Sequence, residues 1–249
     1  MITTQPKNHN SRAKAVKNTW GQRCDVLYFV SSQPDPSYPI IDVKCDKEDH
    51  NHLWCKNRNG IIFGFQEYVD DFDWFLKADD DTYVIVENLR HLLSSYDTND
   101  PLFFSLPFVY QNVKYPSGGA GYIFSKETIT RLVNRLTDET TDRKHCHTKS
   151  QDGADDIEIG RCLEGLGVQF VETRDKLGRG RFLPFLPFHF LKPDGDIYKE
   201  AAWLANYSLY KYKQGFDCCS DSLITFHYVN APDQYVYEYF IYRVKIHDY

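Results

Sequence analysis

The sequence predicts an α/β domain in which helices cover a mixed, mostly parallel central sheet. Short apolar runs that end at polar residues, at 25–30 and 74–78, are typical of buried strands. The stretch 89–96 repeats apolar residues at helical spacing, which is the stripe of an amphipathic helix. Strands that alternate with helices imply a largely parallel sheet covered by helices.

The elements follow in order along the chain. Strands are expected at 25–30, 74–78, 102–104, 122–124 and 223–228. Helices are expected at 13–19, 61–69, 89–96, after Ser125, and from 155 to a stop at Gly167. Ser125 is a favourable N-cap for its helix, whose inward face is expected to carry Ile129, Leu132, Val133 and Leu136. The stretch 182–249 is irregular and aromatic-rich, and we expect it to complete a site.

Composition excludes several classes of protein. The chain has 249 residues and a net charge of -6, so binding through neutralisation of a phosphate backbone is disfavoured and no nucleic-acid partner is expected. No run approaches the roughly 20 apolar residues of a membrane span. The first twenty residues lack the apolar stretch of a signal peptide. The chain as given is therefore expected to be soluble.

Seven cysteines without a C-x-x-C pair favour disulfides in an oxidising compartment over a zinc site. Cys146 and Cys162 bracket a polar loop at a sensible distance for a bridge, whereas adjacent Cys218 and Cys219 are expected to pair with distant partners. A glycosylation sequon at Asn206 also points to the secretory pathway.

The acidic triplet Asp79-Asp80-Asp81 follows an apolar strand and precedes a helix. In an open α/β sheet, ligands bind outside the carboxyl ends of the strands. Adjacent carboxylates repel one another, and Mg²⁺ or Mn²⁺ bound with substrate phosphates would offset that repulsion. A solvated acidic turn is the alternative, but the position of the triplet favours a D-x-D motif of a nucleotide-sugar glycosyltransferase.

Asp155 and Asp156 begin a predicted helix, where a capping role is the simpler interpretation. An inverting sugar transfer also needs a base distinct from the metal-bound carboxylates, and this pair can supply it. His227 is either a core residue or a metal ligand. Glycines in the loop 117–121 allow close backbone approach to a ligand or form an ordinary turn. Trp203, Tyr207 and Tyr210 either stack on a sugar or pack in the core.

Several blocks together resemble the core 1 β1,3-galactosyltransferases of glycosyltransferase family 31. The blocks are 19–24, 74–83, 117–122, 125–127, 156–157 with 160–162, 218–221 and 226–229, and they run over nearly the whole chain in the family's order. The resemblance implies one GT-A (Rossmann-like) catalytic domain over 1–249, an inverting mechanism and Mn²⁺. It also implies UDP-galactose as donor and O-linked GalNAc on glycoproteins as acceptor. The implied location is the Golgi lumen, behind a membrane anchor, with a homodimer as one arrangement.

Residue roles carried over by position are implied in the same way. The metal ligands would be Asp79, Asp81 and His227, and the base would be Asp156, or its neighbour Asp155. The nucleotide and donor sugar would lie near Thr3, Thr4, Lys56, Asp79, Asp80, Gly119 and Tyr228.

The chain departs from the family pattern at its start and at a few positions within it. It begins partway through the first strand and lacks the family's anchor and stem, so we expect a fragment or a truncated product. A cysteine is missing there, which leaves Cys24 free or paired with Cys45 or Cys55. The residues His50, Phe188 and Ala205 also differ from the family and bear on acceptor choice.

Two other functions compete with this interpretation. One is a different family 31 transferase, such as a Fringe-like N-acetylglucosaminyltransferase. The other is a non-catalytic relative that acts as a chaperone or binds glycans. A chaperone has no need of the triplet, so its presence together with Asp155-Asp156 and His227 favours the enzyme.

Overall fold

The computed structural model describes residues 1–45, 47, 49, 52–138 and 146–247, so that His50 lies outside the described residues. The strands are β1 (Ile2–Thr3), β2 (Phe29–Ser31), β3 (Ile40–Asp42), β4 (Trp74–Asp79), β5 (Tyr83–Val84), β6 (Leu102–Ser105), β7 (Pro107–Tyr110), β8 (Val113–Pro116), β9 (Tyr122–Ser125), β10 (Gln169–Phe170), β11 (Phe182–Leu183) and β12 (Thr225–Phe226). The helices are α1 (Lys14–Asn18), α2 (Leu53–Tyr68), α3 (Val86–Leu93), α4 (Lys126–Thr137), α5 (Asp155–Leu163), α6 (Pro187–Leu191), α7 (Ile197–Glu200), α8 (Leu204–Tyr207) and α9 (Ala231–Tyr242).

A seven-stranded sheet in the order β10-β6-β9-β4-β1-β2-β3 forms the centre of the fold. The neighbours β4, β1, β2 and β3 are parallel, as are β6 and β10, whereas β9 runs antiparallel to both β4 and β6. The predicted mixed, mostly parallel α/β sheet is therefore confirmed. Because β9 is reversed, its first residue, Tyr122, pairs with Lys77 near the carboxyl end of β4. The glycine loop before β9 thus reaches the edge that carries the acidic triplet.

A second sheet, in the order β11-β12-β5, connects the C-terminal region to this edge. Strand β5 follows the triplet directly, and β12 pairs with it antiparallel, with Phe226 opposite Tyr83. The ring of Phe226 stacks on that of Tyr83 at a centroid distance of 5.4 Å. This pairing fixes His227, the next residue, beside Asp81.

Helix α4 forms as the sequence predicts. Ser125 is its N-cap, and its hydroxyl oxygen accepts a hydrogen bond from the Thr128 amide at 3.1 Å. The four expected inward residues, Ile129, Leu132, Val133 and Leu136, are all buried. They pack with Phe103, Phe124 and Ile159 in one cluster, which joins α4 and α5 to the sheet.

Other elements differ in extent from their predictions. The strand expected at 25–30 begins only at Phe29, since Val26 is 38% exposed. Helix α5 ends at Leu163, before Gly167, and the strand expected at 223–228 is limited to β12. Within the irregular C-terminal stretch, helix α9 was not predicted. Its apolar residues lie on exposed as well as inward faces, so no periodic stripe marks it, although Asn230 caps it.

The structure shows disulfides that join Cys45 to Cys55 and Cys146 to Cys162. The second confirms its prediction. The expectation of distant partners for Cys218 and Cys219 is wrong, because these adjacent residues are bonded to each other. Cys24 is free, one of the outcomes expected for it. Among the described helices, none is both long and apolar enough to cross a membrane.

Candidate functional site

The acidic triplet lies where β4 ends, and groups distant in sequence hold its backbone. The amide of Val229 donates to the Asp81 carbonyl at 2.8 Å. The Thr82 carbonyl accepts from Trp20 Nε1 at 3.1 Å and from Gln234 Nε2 at 3.2 Å. The turn is therefore fixed from the N-terminal region and from helix α9, and is not a freely solvated loop.

Asp79, Asp81 and His227 form a cluster with the chemistry of a cation site. One ligand atom of each lies within 4.8 Å of the others, and His227 Nε2 is 3.0 Å from Asp81 Oδ1. Two carboxylates and an imidazole fit a divalent cation such as Mn²⁺ better than an anion. Burial alone would raise the pKa of Asp81, but the hydrogen bond and charge of His227, together with the charge of Arg12, lower it below its ordinary value.

Gly119 lies directly against the ring of His227. A Cβ atom built on Gly119 would be 2.1 Å from both Cε1 and Nδ1 of that ring, closer than any real contact. The carbonyl of Gly119 also accepts from the Thr82 hydroxyl at 2.8 Å. The glycine loop thus contacts the cation cluster, and the position of the His227 ring requires a glycine at position 119.

Asp80 points to the N-terminal region and not to the cation cluster. Its Oδ2 accepts from the Thr4 hydroxyl at 2.7 Å and from Asn8 Nδ2 at 2.9 Å. Burial raises the pKa of Asp80, and these two hydrogen bonds oppose that rise. Arg12, 3.2 Å from Asp81 Oδ2 and 3.5 Å from Asp80 Oδ1, adds a cation beside the triplet.

The acidic pair of α5 does not cap the helix. The N-cap is Ala154, with no side-chain capping bond. Asp155 is instead buried, and its Oδ2 accepts from Asn57 Nδ2 at 2.5 Å. Burial, and secondly the Asp155 charge, raise the pKa of Asp156 to about 7. A carboxylate with that pKa can accept a proton near neutral pH.

Lys77 connects the triplet to the acidic pair. Its side chain is 2% exposed, and Nζ lies 2.8 Å from Asp79 Oδ1 and 3.3 Å from Asp155 Oδ2. Burial alone would lower the pKa of Lys77, but Asp155 and then Asp79 raise it well above its ordinary value. The ammonium is therefore charged, and it compensates carboxylates on two different elements.

The remaining predicted residues cluster around the ends of β1 and β12. The Thr3 hydroxyl donates to Asn57 Oδ1 at 2.7 Å, and buried Lys56 donates from Nζ to the Thr4 carbonyl at 2.8 Å. Tyr228 is 53% exposed and stacks on His227 at 4.0 Å. Its φ of +64° places it in the left-handed region.

An aromatic wall extends from Tyr228 through Phe185 to Trp203, with centroid distances of 5.4 and 5.9 Å. Tyr207 continues it at 6.1 Å from Trp203. The indole of Trp203 is 41% exposed, so it is not a core residue. Tyr210 lies elsewhere, against the Arg174 guanidinium at 3.5 Å.

Four residues of the site escaped prediction from the sequence: Asn8, Arg12, Asn57 and Lys77. The partners of Asn8, Arg12 and Asn57 are 54 to 98 positions away in the chain, so no local pattern marks these three residues. Lys77 carried a signal, because a lysine inside an apolar strand two residues before a carboxylate needs a buried partner. At the other three, residue type alone indicated no partner.

The sheet is mostly parallel, and its carboxyl edge carries the cation cluster with a separate carboxylate beside it. This combination is typical of glycosyltransferases that use nucleotide sugars. A family model described as Fringe-like matches residues 1–176. The chain belongs to this Fringe-like family of glycosyltransferases. The matched range includes the triplet and Asp156 but ends before His227.

Named relatives agree with this family. The chain is 37% identical over 249 residues to glycoprotein-N-acetylgalactosamine 3-beta-galactosyltransferase 1 of Xenopus laevis, and covers 67% of that protein. It is 31% identical over 177 residues to the beta-1,3-glucosyltransferase of Mus musculus, with 69% of the chain matching 34% of that protein. The chain thus spans about two thirds of one relative and one third of the other.

Among solved structures, the apo form of mouse xyloside xylosyltransferase 1 superposes with a TM-score of 0.47 at 10% sequence identity. The superposition covers 91% of this chain and 95% of that one.

Proposed function

We propose that residues 1–249 form one catalytic domain that transfers galactose from UDP-galactose, with inversion, to the 3-hydroxyl of O-linked GalNAc on glycoproteins. The observation that carries this proposal is the 37% identity to the Xenopus laevis galactosyltransferase over the whole chain. The site supports it, because the cation cluster and the separate Asp156 supply the two functions that an inverting transfer requires.

The metal ligands in this proposal are Asp79, Asp81 and His227, and Mn²⁺ is the proposed ion. When bound, the ion would offset negative charge on the diphosphate leaving group. Asp156 accepts the proton of the acceptor hydroxyl, and hydrogen bonds from Asn57 and Lys77 hold Asp155 beside it.

The donor side of the site is proposed to lie at the ends of β1 and β4. Thr3, Thr4, Lys56 and Asp80 form one hydrogen-bonded group there, in which the Asp80 amide donates to the Thr3 carbonyl, and this group would border the nucleotide. Gly119 and Tyr228, which flank His227, would lie beside the transferred sugar. The exposed aromatic wall offers apolar faces for an acceptor sugar.

The proposed location is the Golgi lumen, with a membrane anchor outside these residues and with a homodimer as the proposed assembly. The disulfides and the exposed sequon residue Asn206 support an oxidising, glycosylating compartment. Phe188, 63% exposed, and exposed Ala205 could change acceptor choice without touching the cation cluster.

A second candidate is transfer of another sugar in β1,3 linkage. It is favoured by the beta-1,3-glucosyltransferase relatives, which match over 69% of the chain. Donor choice is the property that separates the two candidates, because both need the same cation cluster and base.

A transfer assay separates these functions. We expect galactose transfer from UDP-galactose to a GalNAc-peptide, dependent on Mn²⁺, and little transfer from UDP-glucose or UDP-GlcNAc. Asp81→Ala should abolish transfer because it removes a cation ligand, whereas Asp70→Ala, at an exposed carboxylate, should not. Preference for another sugar would move the proposal to the second candidate. Absence of transfer from every donor would refute both and favour a binding or chaperone role.

A further inference from the structure

Lys77 is a buried cation shared between two parts of the site. Its Nζ donates to Asp79 in the cation cluster and to Asp155 at the start of α5. The side chain is 2% exposed, so water does not replace either partner. The two carboxylates therefore depend on the same ammonium.

The surroundings hold this ammonium in place. Its Nζ also lies 3.5 Å from the Gly118 carbonyl oxygen and 5.3 Å from the ring centroid of Tyr122. Asn57 holds Asp155 from the other side and is itself held by the Thr3 hydroxyl. A buried ion pair needs such additional hydrogen bonds, and removal of one partner leaves an uncompensated charge.

We propose that Lys77 is a positioning residue that couples Asp155 to metal binding at Asp79, although Asp155 is outside the cation cluster. The inference rests on the metal site of the proposed function. Asp155 and Asp79 share the Lys77 ammonium. When Asp155→Asn removes one of the two carboxylates, Lys77 pairs with Asp79 alone and competes more strongly with the metal for that carboxylate. Neutralising Asp155 therefore weakens metal binding from a distance.

The test is Mn²⁺ affinity, measured by calorimetry in the presence of UDP. We expect Asp155→Asn to weaken binding by about 10-fold, the lower end for residues that support metal ligands. Asp156→Asn, compared at pH 8 where a carboxyl with a pKa of about 7 is mostly ionised, is the matched control, because it removes a negative charge from the same helix at a carboxylate that bonds to the Ile157 amide. It should weaken binding much less. In a Lys77→Met background, Asp155→Asn should have no further effect, whereas Lys77→Arg should preserve the coupling.

Equal losses of Mn²⁺ affinity in Asp155→Asn and Asp156→Asn would indicate a general electrostatic effect and overturn the inference. The same holds if Asp155→Asn weakens Mn²⁺ binding as much in the Lys77→Met background as without it. If Lys77→Met does not fold, the comparison of the two Asp variants decides. Urea unfolding separates this result from failure of the metal proposal. Lys77→Met should lower the midpoint, and adding Asp155→Asn should restore part of it. If Asp155→Asn restores the midpoint of Lys77→Met but the unsubstituted protein binds no Mn²⁺, the metal site is refuted and the Lys77–Asp155 link stands. If the two substitutions change the midpoint additively, the Lys77–Asp155 link is refuted.

Discussion

Gly119 limits what the cation cluster can tolerate, because a single added methyl group would occupy the space of the His227 ring. We expect Gly119→Ala to displace His227 from Asp81 and weaken Mn²⁺ affinity by about 10- to 100-fold, the range for outer-shell changes. Calorimetry with Mn²⁺ measures this effect.

Gly118→Ala is the matched control for this substitution. Its Cβ would meet Asp156 Cβ at 3.4 Å, which is ordinary contact. We expect metal affinity close to that of the unsubstituted protein. Equal losses in the two variants would contradict a specific clash with His227.

Asp156 determines the expected pH dependence. As a base it must be ionised, so turnover should rise with pH through about 7 and then level off. Asp156→Asn should lower turnover by about 10²- to 10⁴-fold and abolish this rise. Steady-state rates at saturating donor and metal test both expectations.

Unfolding provides an independent test of the same carboxyl. Its pKa is raised on folding, so its contribution to stability is present at low pH and is lost as pH rises towards 7. Asp156→Asn should therefore be more stable than the unsubstituted protein above pH 7, and this advantage should vanish at low pH. Lower stability of Asp156→Asn at pH 8 would contradict the raised pKa.

At the scale of elements, Ser125 connects β9, β6 and α4. Its fully buried hydroxyl donates to the Asp100 carbonyl at 2.7 Å and accepts from the Leu102 and Thr128 amides. In Ser125→Ala the Thr128 amide loses its capping partner, whereas the Leu102 amide keeps its bond to the Asp100 carbonyl, so the free energy of unfolding should fall by about 0.5–2 kcal/mol. Exposed Ser94→Ala is the control. Chemical denaturation measures both, and equal small effects would contradict the bridging role.

Elements with strong local signals were predictable. β4 and α4 each combine an apolar pattern with a clear boundary, at Asp79 and Ser125 respectively. Helix α9 is not predictable in this way, because aromatic residues lie on its exposed face as well as its inward face and leave no periodic apolar stripe. Tyr239, for example, is 57% exposed and Phe240 is 64% exposed. Its existence depends on tertiary contacts such as the Gln234 bond to the Thr82 carbonyl, which no periodicity reveals.

At the scale of the whole molecule, the order of the motifs in the sequence identified the family, and the sheet then explains how the motifs meet. Asp79 and Asp81 end a central strand, whereas His227 arrives through the β5–β12 pairing. The sequence shows three adjacent aspartates but not which of them face the cation cluster. Asp80 turns to Thr4 and Asn8 because the backbone at a strand end points successive side chains in different directions.

The side chains of the cation cluster come from positions 79, 81 and 227, and the hydrogen bonds around them begin at residue 3. During translation, a ribosome-bound chain would therefore carry the two aspartates long before the histidine is synthesised. The proposed cation site can therefore be complete only after nearly all the described chain has left the ribosome. The C-terminal region is consequently the last component of assembly, and a nascent chain lacking it would have an acidic turn without its imidazole partner.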